Sequence, residues 1–482
     1  MNWVLLIQVI YVVVLLLVCL RIIYDTRASS KTLAYLLVAI FLPFAGMIFY
    51  FSFGINYRKR KLYNGKWLVD EALLDKLRGT IEQYALGSSL SKQPELRQNR
   101  ELAALLSRDL RSQPTRNNRV KVLVNGEEKF PEVFQAIREA RHHIHIEYYI
   151  FEDDEIGCSL AALLMEKAKQ GVRVRLIYDD FGSRRIRKKL VPEMRKAGVE
   201  AYPFHRIIFL LLANRLNYRN HRKIIVIDGK TAFTGGMNVS DNYVNKTGTK
   251  KFWRDTHLRI DGPGVHYLQY LFLCDWQFCT GQAIDAAELL FSSYADLPGS
   301  DTVVQIAASG PDSDRPAILF SLLQAIYLAE KELLITTPYF IPGDSMLEAI
   351  SIAALSGLKV KLLVPGKSDS RFVNAAARSY YTDLMAAGVE VYRYKKGFVH
   401  SKTLVADGML SVVGSANMDH RSFELNFEVN AFVYDRSIAG QMRQLFFDDL
   451  EQAERIDPER WANRRFYHVL LEKLARLASP LM

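Results

Sequence analysis

The chain has 482 residues, of which 49% are hydrophobic, and it carries a formal net charge of +11 at pH 7. This length accommodates two domains with additional segments, and the positive charge favours a partner that bears phosphate, either anionic lipid or nucleic acid. The four cysteines include no Cys-x-x-Cys pair, and no histidine stands at ligand spacing from them. The composition therefore excludes a disulfide framework and gives no indication of a zinc site.

Two apolar stretches open the chain, at residues 3–20 and 33–53. Each is long enough to cross a hydrocarbon core of about 30 Å, so we expect a transmembrane helical hairpin within residues 1–57. A cleaved signal peptide is the alternative for the first stretch, but it lacks a basic n-region and an Ala-x-Ala site. Three basic residues lie in the connecting loop and five follow the second stretch. This difference favours a cytoplasmic location for both termini and for the domains that follow.

The remainder of the chain divides into a connector and two repeats of similar order. Residues 58–118 are mixed in charge and prone to form helices, which predicts a helical connector. The first repeat, 119–298, is predicted to run strand, helix, strand, helix, strand over 120–124, 130–140, 143–151, 159–170 and 172–178. The second repeat, 299–482, copies this order over 302–306, 316–329, 333–341, 346–356 and 358–364, and ends in a basic amphipathic C-terminus. The alternation predicts α/β domains, each a sheet with helices on its faces.

Each repeat contains the same motif, His-x-Lys-x4-Asp-Gly followed by a turn of small residues and an Asn. The members are His221, Lys223, Asp228 and Asn238 in the first copy, and His400, Lys402, Asp407 and Asn417 in the second. The two histidines are separated by the same number of positions as the two asparagines. A single copy could be an exposed strand end, whereas a matched pair indicates an internal duplication.

The local chemistry of the motif predicts a hairpin that presents three polar groups together. Residues two apart on a strand point to the same face, so each His and Lys should be neighbours. The Asp-Gly pair is a strong turn signal, and the returning strand ends at small residues that let the chain bring the Asn back. The two Asp residues stand at the far ends of their strands. We interpret them as supports that orient the hairpins.

Two His, two Lys and two Asn around one point suit a phosphodiester. The ammonium and amide groups can hold the non-bridging oxygens, where charge develops during transfer. One neutral imidazole can attack phosphorus while the other, protonated, donates to the leaving oxygen. No carboxylate cluster has obvious magnesium-ligand spacing, so neither a metal nor another cofactor is expected.

The duplicated motif resembles the signature of the phospholipase D superfamily, and the whole chain is similar to bacterial cardiolipin synthases. Further segments that carry this resemblance are Pro43-Phe44-Ala45-Gly46, Trp253-Arg254-Asp255 and Asn417-Met418-Asp419-His420-Arg421-Ser422. The resemblance implies two phospholipase D-like domains related by pseudo-two-fold symmetry, with the active site between them. It also implies the transfer of a phosphatidyl group between two phosphatidylglycerol molecules, which gives cardiolipin and glycerol.

The resemblance further implies a role for each site residue. The signature set is His221, Lys223, Asp228, His400, Lys402 and Asp407, with Asn238 and Asn417 binding the phosphoryl group. A carboxylate that supports each histidine is expected after each motif, and the matching positions are Asp255 and Glu428. A plain salt bridge is the alternative for both carboxylates. The resemblance implies His221 as the nucleophile, whereas the sequence itself is symmetric between the two copies.

Three other functions remain open at this stage. A phospholipase D-type hydrolase would differ only in using water as the acceptor, and a membrane-anchored nuclease would use the same motif. A nuclease has little need of two membrane spans, so we expect no nucleic acid partner. A non-catalytic scaffold is disfavoured because both copies keep every signature position. The expected location is the inner membrane of a bacterium, as a multi-pass protein in contact with anionic lipids.

The first repeat has an insertion before its motif that the second repeat lacks. It contains the apolar run 207–212, flanked by arginines. We expect this insertion to dip into the bilayer beside His221, and a buried element that caps the first domain is the alternative.

Overall fold

The computed structural model describes residues 3–26, 29–42, 44–53, 94–204, 218–246, 251–282, 284, 301–313, 315–477 and 479. These residues fall into two compact units. The first contains the described residues up to 53 together with Tyr218, and the second contains the others. The apolar run 207–212 and the basic residues 58–61 lie outside the described residues, as does most of the predicted connector.

The first unit begins with α1 (Trp3–Asp25), followed by α2 (Ser29–Phe41) and α3 (Ala45–Phe53). Within the described part of the chain, α1 is the one helix long and apolar enough to cross a membrane. It has 23 residues, and almost all of its apolar side chains are exposed. This pattern is that of a helix whose surroundings are apolar, which is consistent with a membrane anchor.

The second apolar stretch is not one continuous helix, contrary to the sequence-based expectation. It is interrupted between α2 and α3, where Phe44 has a φ of 60°. A Cβ on Gly46 would lie 2.1 Å from the carbonyl oxygen of Val38, so the turn back against α2 requires glycine. The two pieces have 13 and 9 residues, fewer than the roughly 20 that a spanning helix needs. The predicted hairpin is therefore seen only in part.

A small apolar cluster holds the three helices of the first unit together. Val18 and Ile22 of α1 pack with Ala39 of α2 and with Met47 and Tyr50 of α3. The turn at Phe44 thus folds the second stretch into a short helical pair that packs on α1.

The second unit is built on one sheet of fifteen strands. The seven strands of the first half lie in the order β1-β8-β6-β5-β2-β3-β4, and those of the second half in the order β9-β18-β16-β15-β10-β12-β13, with β19 added at the outer edge. The first-half strands are β1 (Thr115–Val124), β2 (His143–Tyr148), β3 (Arg173–Asp179), β4 (Glu200–Phe204), β5 (Lys223–Ile227), β6 (Thr231–Gly235), β7 (Phe252–Arg254) and β8 (Thr256–Asp261). The second-half strands are β9 (Thr302–Ser309), β10 (Glu332–Thr336), β11 (Phe340–Ile341), β12 (Lys359–Pro365), β13 (Glu390–Tyr394), β14 (Gly397–Val399), β15 (Thr403–Ala406), β16 (Leu410–Gly414), β17 (Met418–Asp419), β18 (Glu428–Tyr434) and β19 (Ala453–Arg455). The matching orders give the two halves the same topology.

Helices cover the sheet and give each half its own apolar core. They are α4 (Pro94–Gln98), α5 (Arg100–Asp109), α6 (Asn125–Glu139), α7 (Glu155–Lys169), α8 (Leu190–Lys196), α9 (Val265–Thr280), α10 (Ala317–Leu328), α11 (Asp344–Leu355), α12 (Arg371–Ala386), α13 (His420–Glu424), α14 (Arg436–Glu451), α15 (Pro458–Ala462) and α16 (Phe466–Leu477). The C-terminal α16 is amphipathic, with its leucines exposed and Glu472 buried in an ion pair with Arg464. The predicted α/β class and the repeated order of elements are confirmed.

The halves meet where β1 pairs with β9, at Thr115 with Val304 and at Asn118 with Thr302. The buried Asn118 amide donates to the carbonyl oxygens of Thr115 (2.8 Å) and Thr302 (3.1 Å), and accepts from the Gly264 N–H (2.7 Å). This join explains why β1 begins before residue 120, where the sequence places its start. The added residues pair with the other half, and local periodicity carries no signal for such a contact.

One predicted strand of the second repeat, 333–341, is divided in the structure. It leaves the main sheet after Thr336 and resumes as β11, which pairs with β17 in a separate two-stranded sheet. The first half has the corresponding contact as an isolated bridge between Phe151 and Val239. In both halves this departure brings the segment that follows the motif Asn against the end of the second strand.

Candidate active site

The two motif histidines stand immediately before the hairpins β5–β6 and β15–β16, and each is held by the backbone of the other half. The His221 N–H donates to the Phe427 carbonyl (2.9 Å), and the His400 N–H donates to the Arg254 carbonyl (2.7 Å). Short parallel contacts make this possible, because β14 pairs with β7 and Asn220 bridges to Phe427. The two motif ends therefore meet at one site.

The carboxylates also pair with the histidines across the halves. His221 Nδ1 lies 3.2 Å from Glu428 Oε1, and His400 Nδ1 lies 2.7 Å from Asp255 Oδ2. Both carboxylates are fully buried. A carboxylate that accepts from Nδ1–H fixes the imidazole tautomer and leaves Nε2 as the nitrogen that faces a reacting atom. Each half thus supplies a histidine to the other half's carboxylate.

A small residue at the end of each hairpin lies directly against the carboxylate that supports a histidine. A Cβ on Gly236 would lie 2.2 Å from Asp255 Oδ1, so only glycine fits there. In the second half the corresponding residue is Ser415, whose hydroxyl donates to Glu428 Oε2 at 2.5 Å. Asn426 Nδ2 donates to the other oxygen of Glu428 at 3.2 Å. The Asp-Gly and Glu-Ser combinations make the two supports chemically different.

The two motif asparagines are both buried, but their side chains differ in their contacts. Asn238 Nδ2 donates to Tyr243 Oη (2.9 Å), and its Oδ1 accepts from the Ile150 N–H (3.3 Å). Asn417 Oδ1 accepts no hydrogen bond from any part of the chain that the structure describes. The Asn238 amide is thus already engaged by protein groups, whereas the Asn417 amide retains bonding capacity.

Asp228 and Asp407 lie at the far ends of their strands, away from the histidines. The Asp228 carboxylate accepts from the backbone N–H groups of Arg141, His142 and His143, at 2.8–2.9 Å. The Asp407 carboxylate accepts from residues 330, 331 and 332 over the same range of distances. Both aspartates have positive φ and are followed by a glycine with positive φ, as a tight hairpin turn requires. These contacts hold the hairpin against the start of its neighbouring strand.

Burial makes the charged forms of the two motif lysines unfavourable. Lys223 Nζ donates to the His221 carbonyl (2.6 Å), and Lys402 Nζ lies 2.9 Å from His400 Nδ1 while it donates to the His400 carbonyl. Burial lowers the pKa of Lys223 to about 8, with Glu428 and Asp255 opposing the effect. Burial also lowers the pKa of Lys402 to about 7, and the Lys223 charge contributes. An anion that binds beside the two lysines, such as a phosphodiester, would raise both pKa values and favour the charged ammonium groups.

Burial and the neighbouring charges also act on His400. Burial and the neighbouring Lys402 ammonium lower the pKa of His400 to about 4, although Asp255 opposes them. Its imidazole is therefore neutral at pH 7 in this structure. For Glu428, burial raises the pKa, but the opposing attraction of His221 and Lys223 is larger and keeps it below its usual value. The carboxylate of Glu428 is thus held ionised beside His221.

Several residues at the site lie outside the two motifs. The Tyr149 ring lies 4.0 Å from the His221 ring, and the Trp253, Tyr243 and Phe398 rings lie 5.6–5.8 Å from the His400 ring. The fully buried Lys129 donates to the carbonyls of Met237 (3.1 Å) and Asn238 (3.3 Å). Only Trp253 stood in a stretch that the sequence singles out. Tyr149 and Lys129 come from elements distant in the chain, whereas Tyr243 and Phe398 lie a few positions from Asn238 and His400.

Among the residues that the structure describes, no group of three or more His, Cys, Asp or Glu side chains could hold a metal ion. The neighbouring histidines of β2 have other contacts. The His143 and His145 rings are tilted against each other at 4.6 Å, His145 stacks on Phe272 at 4.4 Å, and His145 Nδ1 lies 2.8 Å from Gln269 Nε2. Their role is in packing.

Comparison with known proteins agrees with this geometry. The family described as cardiolipin synthase, PLD-like domain matches residues 133–249 and 322–450, and the phospholipase D-nuclease N-terminal family matches residues 9–54. Phosphatidylserine synthase from Haemophilus influenzae Rd KW20 shares the fold at a TM-score of 0.59 and 13% identity, over 80% of this chain and 100% of that one. Fold and duplicated site define an enzyme of the phospholipase D superfamily.

Curated relatives narrow the assignment. A cardiolipin synthase of Geobacillus sp. (strain WCH70) is 42% identical over 462 residues, which cover 95% of this chain and 90% of the relative. Major cardiolipin synthase ClsA of Bacillus subtilis (strain 168) is 38% identical over 478 residues, 99% of each chain. The chain belongs to the cardiolipin synthase family, and the resemblance stated from the sequence is confirmed.

The contacts of Asp228 predict a structural effect of its removal. Asp228→Ala leaves three backbone N–H groups without their acceptor, which should cost about 1–3 kcal/mol of stability. We expect a lower midpoint of thermal unfolding in detergent. Activity at low temperature should stay within roughly tenfold of the native enzyme, whereas His221→Ala should lose about 10²–10⁴-fold. Equal losses of activity in a folded Asp228→Ala protein would contradict the supporting role.

The lowered pKa of Lys402 predicts a trade-off between stability and activity. The unfolded chain keeps this lysine protonated up to about pH 10.5, but the folded chain does so only to about pH 7. The buried charge therefore destabilises the fold fully below pH 7, and progressively less as the pH rises towards 10.5. Lys402→Met should unfold at a higher temperature than the native protein at pH 6, with a smaller difference at pH 9.

The same variant should lose at least about 10²-fold in activity, because it no longer stabilises the phosphoryl oxygens. Lys230→Met, at the exposed hairpin turn, is the matched control and should change neither property. A Lys402→Met protein less stable than the native one at pH 6 would show that the ammonium stabilises the fold.

Proposed function

We propose that the protein converts two phosphatidylglycerol molecules into cardiolipin and glycerol through a phosphatidyl-histidine intermediate. The observation that supports this most directly is the crosswise pairing of His221 with Glu428 and of His400 with Asp255. It places two oriented imidazoles and two lysines at one point between the halves. Membership of the cardiolipin synthase family supports the choice of lipid.

In the first step, Nε2 of His221 attacks phosphorus, and the bond from phosphorus to the glycerol headgroup oxygen breaks. His400 donates a proton from Nε2 to this oxygen, so glycerol leaves and a phosphorus–nitrogen bond remains. The phosphodiester brings a negative charge beside Lys402, which offsets the repulsion that contributes to the low pKa of His400. Substrate binding thus favours the protonated form that the step requires.

In the second step, the headgroup hydroxyl of another phosphatidylglycerol attacks phosphorus. Neutral His400 accepts the hydroxyl proton, the phosphorus–nitrogen bond breaks, and His221 is released with cardiolipin. Lys223, Lys402 and Asn417 hold the non-bridging oxygens in both steps, and Asn238 shapes this pocket through Tyr243. The assignment of His221 as nucleophile follows the family resemblance. The 2.7 Å contact of Asp255 suits His400 to repeated protonation.

The same proposal includes the organisation of the chain. The first phospholipase D-like domain extends over 119–298 and the second over 299–482, after an anchor at 1–57 and a connector at 58–118. The protein resides in the bacterial inner membrane, with the catalytic domains facing the cytoplasm. The distribution of basic residues around the apolar stretches supports this orientation. A multi-pass arrangement would need a second crossing within residues 29–53, where α2 and α3 have 13 and 9 residues.

Purified full-length protein incubated with phosphatidylglycerol alone tests the function. Cardiolipin and glycerol should appear in equal amounts. Phosphatidic acid as the main product would instead identify a hydrolase, because water would then be the acceptor. Cleavage of DNA without lipid turnover would identify a nuclease. His142→Ala, which changes an exposed histidine outside the site, serves as the active control.

The two histidines should fail differently. His221→Ala should form no covalent lipid adduct. His400→Ala should accumulate one, because attack on phosphorus can precede a failed protonation of the leaving group. Loss of a general acid costs on the order of 10²–10⁴-fold, so the adduct forms slowly but remains detectable. Mass spectrometry of phosphatidylglycerol-treated protein locates it. A phosphatidyl group on His400 in the His221→Ala protein would reverse the two assignments.

Lysine ammonium groups stabilise charge here in the place that metal ions take in many phosphoryl-transfer enzymes. We therefore expect activity to survive exhaustive EDTA treatment when ionic strength is kept constant. Complete loss, restored by one divalent cation at stoichiometric concentration, would overturn the lysine-based mechanism. A titration of the divalent cation, with vesicles of fixed lipid composition as the substrate, separates this outcome from effects of divalent ions on the membrane.

A further inference from the structure

Two exposed loops occupy equivalent places in the two halves, each after the third strand of its repeat. Loop A comprises residues 181–189 and follows β3, and loop B comprises residues 366–372, follows β12 and includes the first two residues of α12. Each carries one exposed phenylalanine, Phe181 at 42% and Phe372 at 54%. The exposed basic side chains are Arg184, Arg185, Arg187, Lys188 and Lys189 in loop A, and Lys367 and Arg371 in loop B.

Loop A is fixed to the surroundings of His221. The fully buried Ser183 hydroxyl accepts from the Phe151 N–H (2.9 Å) and donates to the Tyr149 carbonyl (3.0 Å). A Cβ on Gly182 would lie 2.3 Å from the same Tyr149 carbonyl oxygen, so the loop passes this residue in close contact. The Tyr149 ring in turn contacts the His221 ring, with the ring centroids 4.0 Å apart. The position of loop A is therefore set by a residue that contacts a motif histidine.

Loop B is connected to His400 by a comparable path. Asp369 accepts from the Tyr339 hydroxyl at 2.6 Å, and the Tyr339 ring lies 6.4 Å from the Phe398 ring. Phe398 lies 5.8 Å from the ring of His400. Each histidine is thus linked through aromatic side chains to a loop that presents a phenylalanine and basic residues to the surroundings. None of these exposed side chains fills a core, and the Phe181 ring has the Arg219 guanidinium 4.5 Å from its centroid.

We propose that loops A and B together dock the active site onto an anionic phospholipid bilayer. Exposed aromatic side chains enter the boundary between headgroups and acyl chains, and adjacent basic residues attract the lipid phosphates. Arg185 and Arg187 have partners in Glu152 (3.3 Å) and Asp180 (3.1 Å), so we assign the phosphate contacts mainly to Arg184, Lys188 and Lys189. This docking rests on the proposed function, since it presents the histidines to lipid phosphates.

A bilayer fits better than nucleic acid, which also bears phosphates. The apolar α1 already gives the chain a helix long enough to cross a membrane, so a lipid surface is always near. Loop A is linked to His221 and loop B is linked to His400. When both loops contact the bilayer, a lipid phosphodiester at its surface is presented to both histidines. Docking by the two loops then sets how deep in the headgroup region the active site lies. This role is separate from the anchoring of the chain by α1.

The first experiment detects contact without relying on turnover. The full chain is placed in nanodiscs that contain phosphatidylglycerol, with p-benzoylphenylalanine replacing Phe181, Phe372 or Tyr327 in separate proteins. Tyr327 is an aromatic residue of similar exposure, 55%, near the end of α10 and close to the residues that cap Asp407. Irradiation should attach lipid at positions 181 and 372 and not at 327. Lipid at none of the three, or equally at all three, would overturn the docking proposal.

The second experiment separates docking from chemistry. The triple variant Arg184→Gln/Lys188→Gln/Lys189→Gln is compared with a control, Lys230→Gln/Lys331→Gln/Lys359→Gln. The control neutralises the same number of exposed charges at the opposite ends of the strands. We expect the loop variant to need roughly tenfold or more anionic lipid in vesicles for half-maximal rate. Its rate on a monomeric short-chain phosphatidylglycerol should stay within about twofold of the native rate, and the control variant should match the native protein in both assays.

The outcomes distinguish the two proposals. Equal losses on vesicles and on the monomeric substrate would show that loop A belongs to the catalytic machinery, and the docking proposal would fail. Cross-linking at positions 181 and 372 to an added single-stranded oligonucleotide in preference to lipid would also overturn it. If lipid is captured at these loops but no cardiolipin forms, docking stands and the proposed function fails.

Discussion

Each half of the protein supplies the carboxylate that orients the other half's histidine, and the structure depends on this exchange. His400 and Asp255 are separated by 145 positions yet lie within hydrogen-bond distance. The backbone of each histidine also donates to the residue that precedes the opposite carboxylate. Neither half alone has an oriented imidazole. The β1–β9 join and the short β7–β14 contact are therefore part of the active site, because they set the distance between the halves.

This arrangement buries two lysines and two carboxylates together where water is excluded. Lys223, Lys402 and His400 all have lowered pKa values, and burial is the largest cause in each case. Such a cluster costs folding free energy, which the apolar cores and the aspartate-held hairpin turns offset. The same cost is useful in catalysis, because a phosphodiester relieves the repulsion when it binds. The site is thus organised for a charge that arrives with the substrate.

The pseudo-symmetry of the fold does not extend to the chemistry of the two halves. Asp255 lies against Gly236, while Glu428 is held by Ser415. One tyrosine ring contacts His221, whereas three aromatic residues surround His400. The motif asparagines also differ, since Tyr243 engages Asn238. Two histidines in different surroundings can take different parts in an ordered two-step reaction, and an exact two-fold site could not distinguish them.

The sequence by itself determined the features that depend on neighbouring residues. The duplicated His-x-Lys motif, the Asp-Gly turns and the alternation of strands and helices were predictable, because side-chain periodicity and turn chemistry act over a few positions. The resemblance added the family and the candidate carboxylates. The apolar composition of residues 3–20 likewise sufficed to predict α1 as a membrane helix.

Only the tertiary structure decided the contacts between distant parts of the chain. The crosswise pairing of histidine and carboxylate, the contact of Tyr149 with His221 and the buried Lys129 behind Asn238 all follow from which strand ends meet. The break in the second apolar stretch was also decided in three dimensions, where Gly46 approaches the backbone of Val38. Such contacts depend on the closing of long loops and on packing, and no local pattern of residues specifies them.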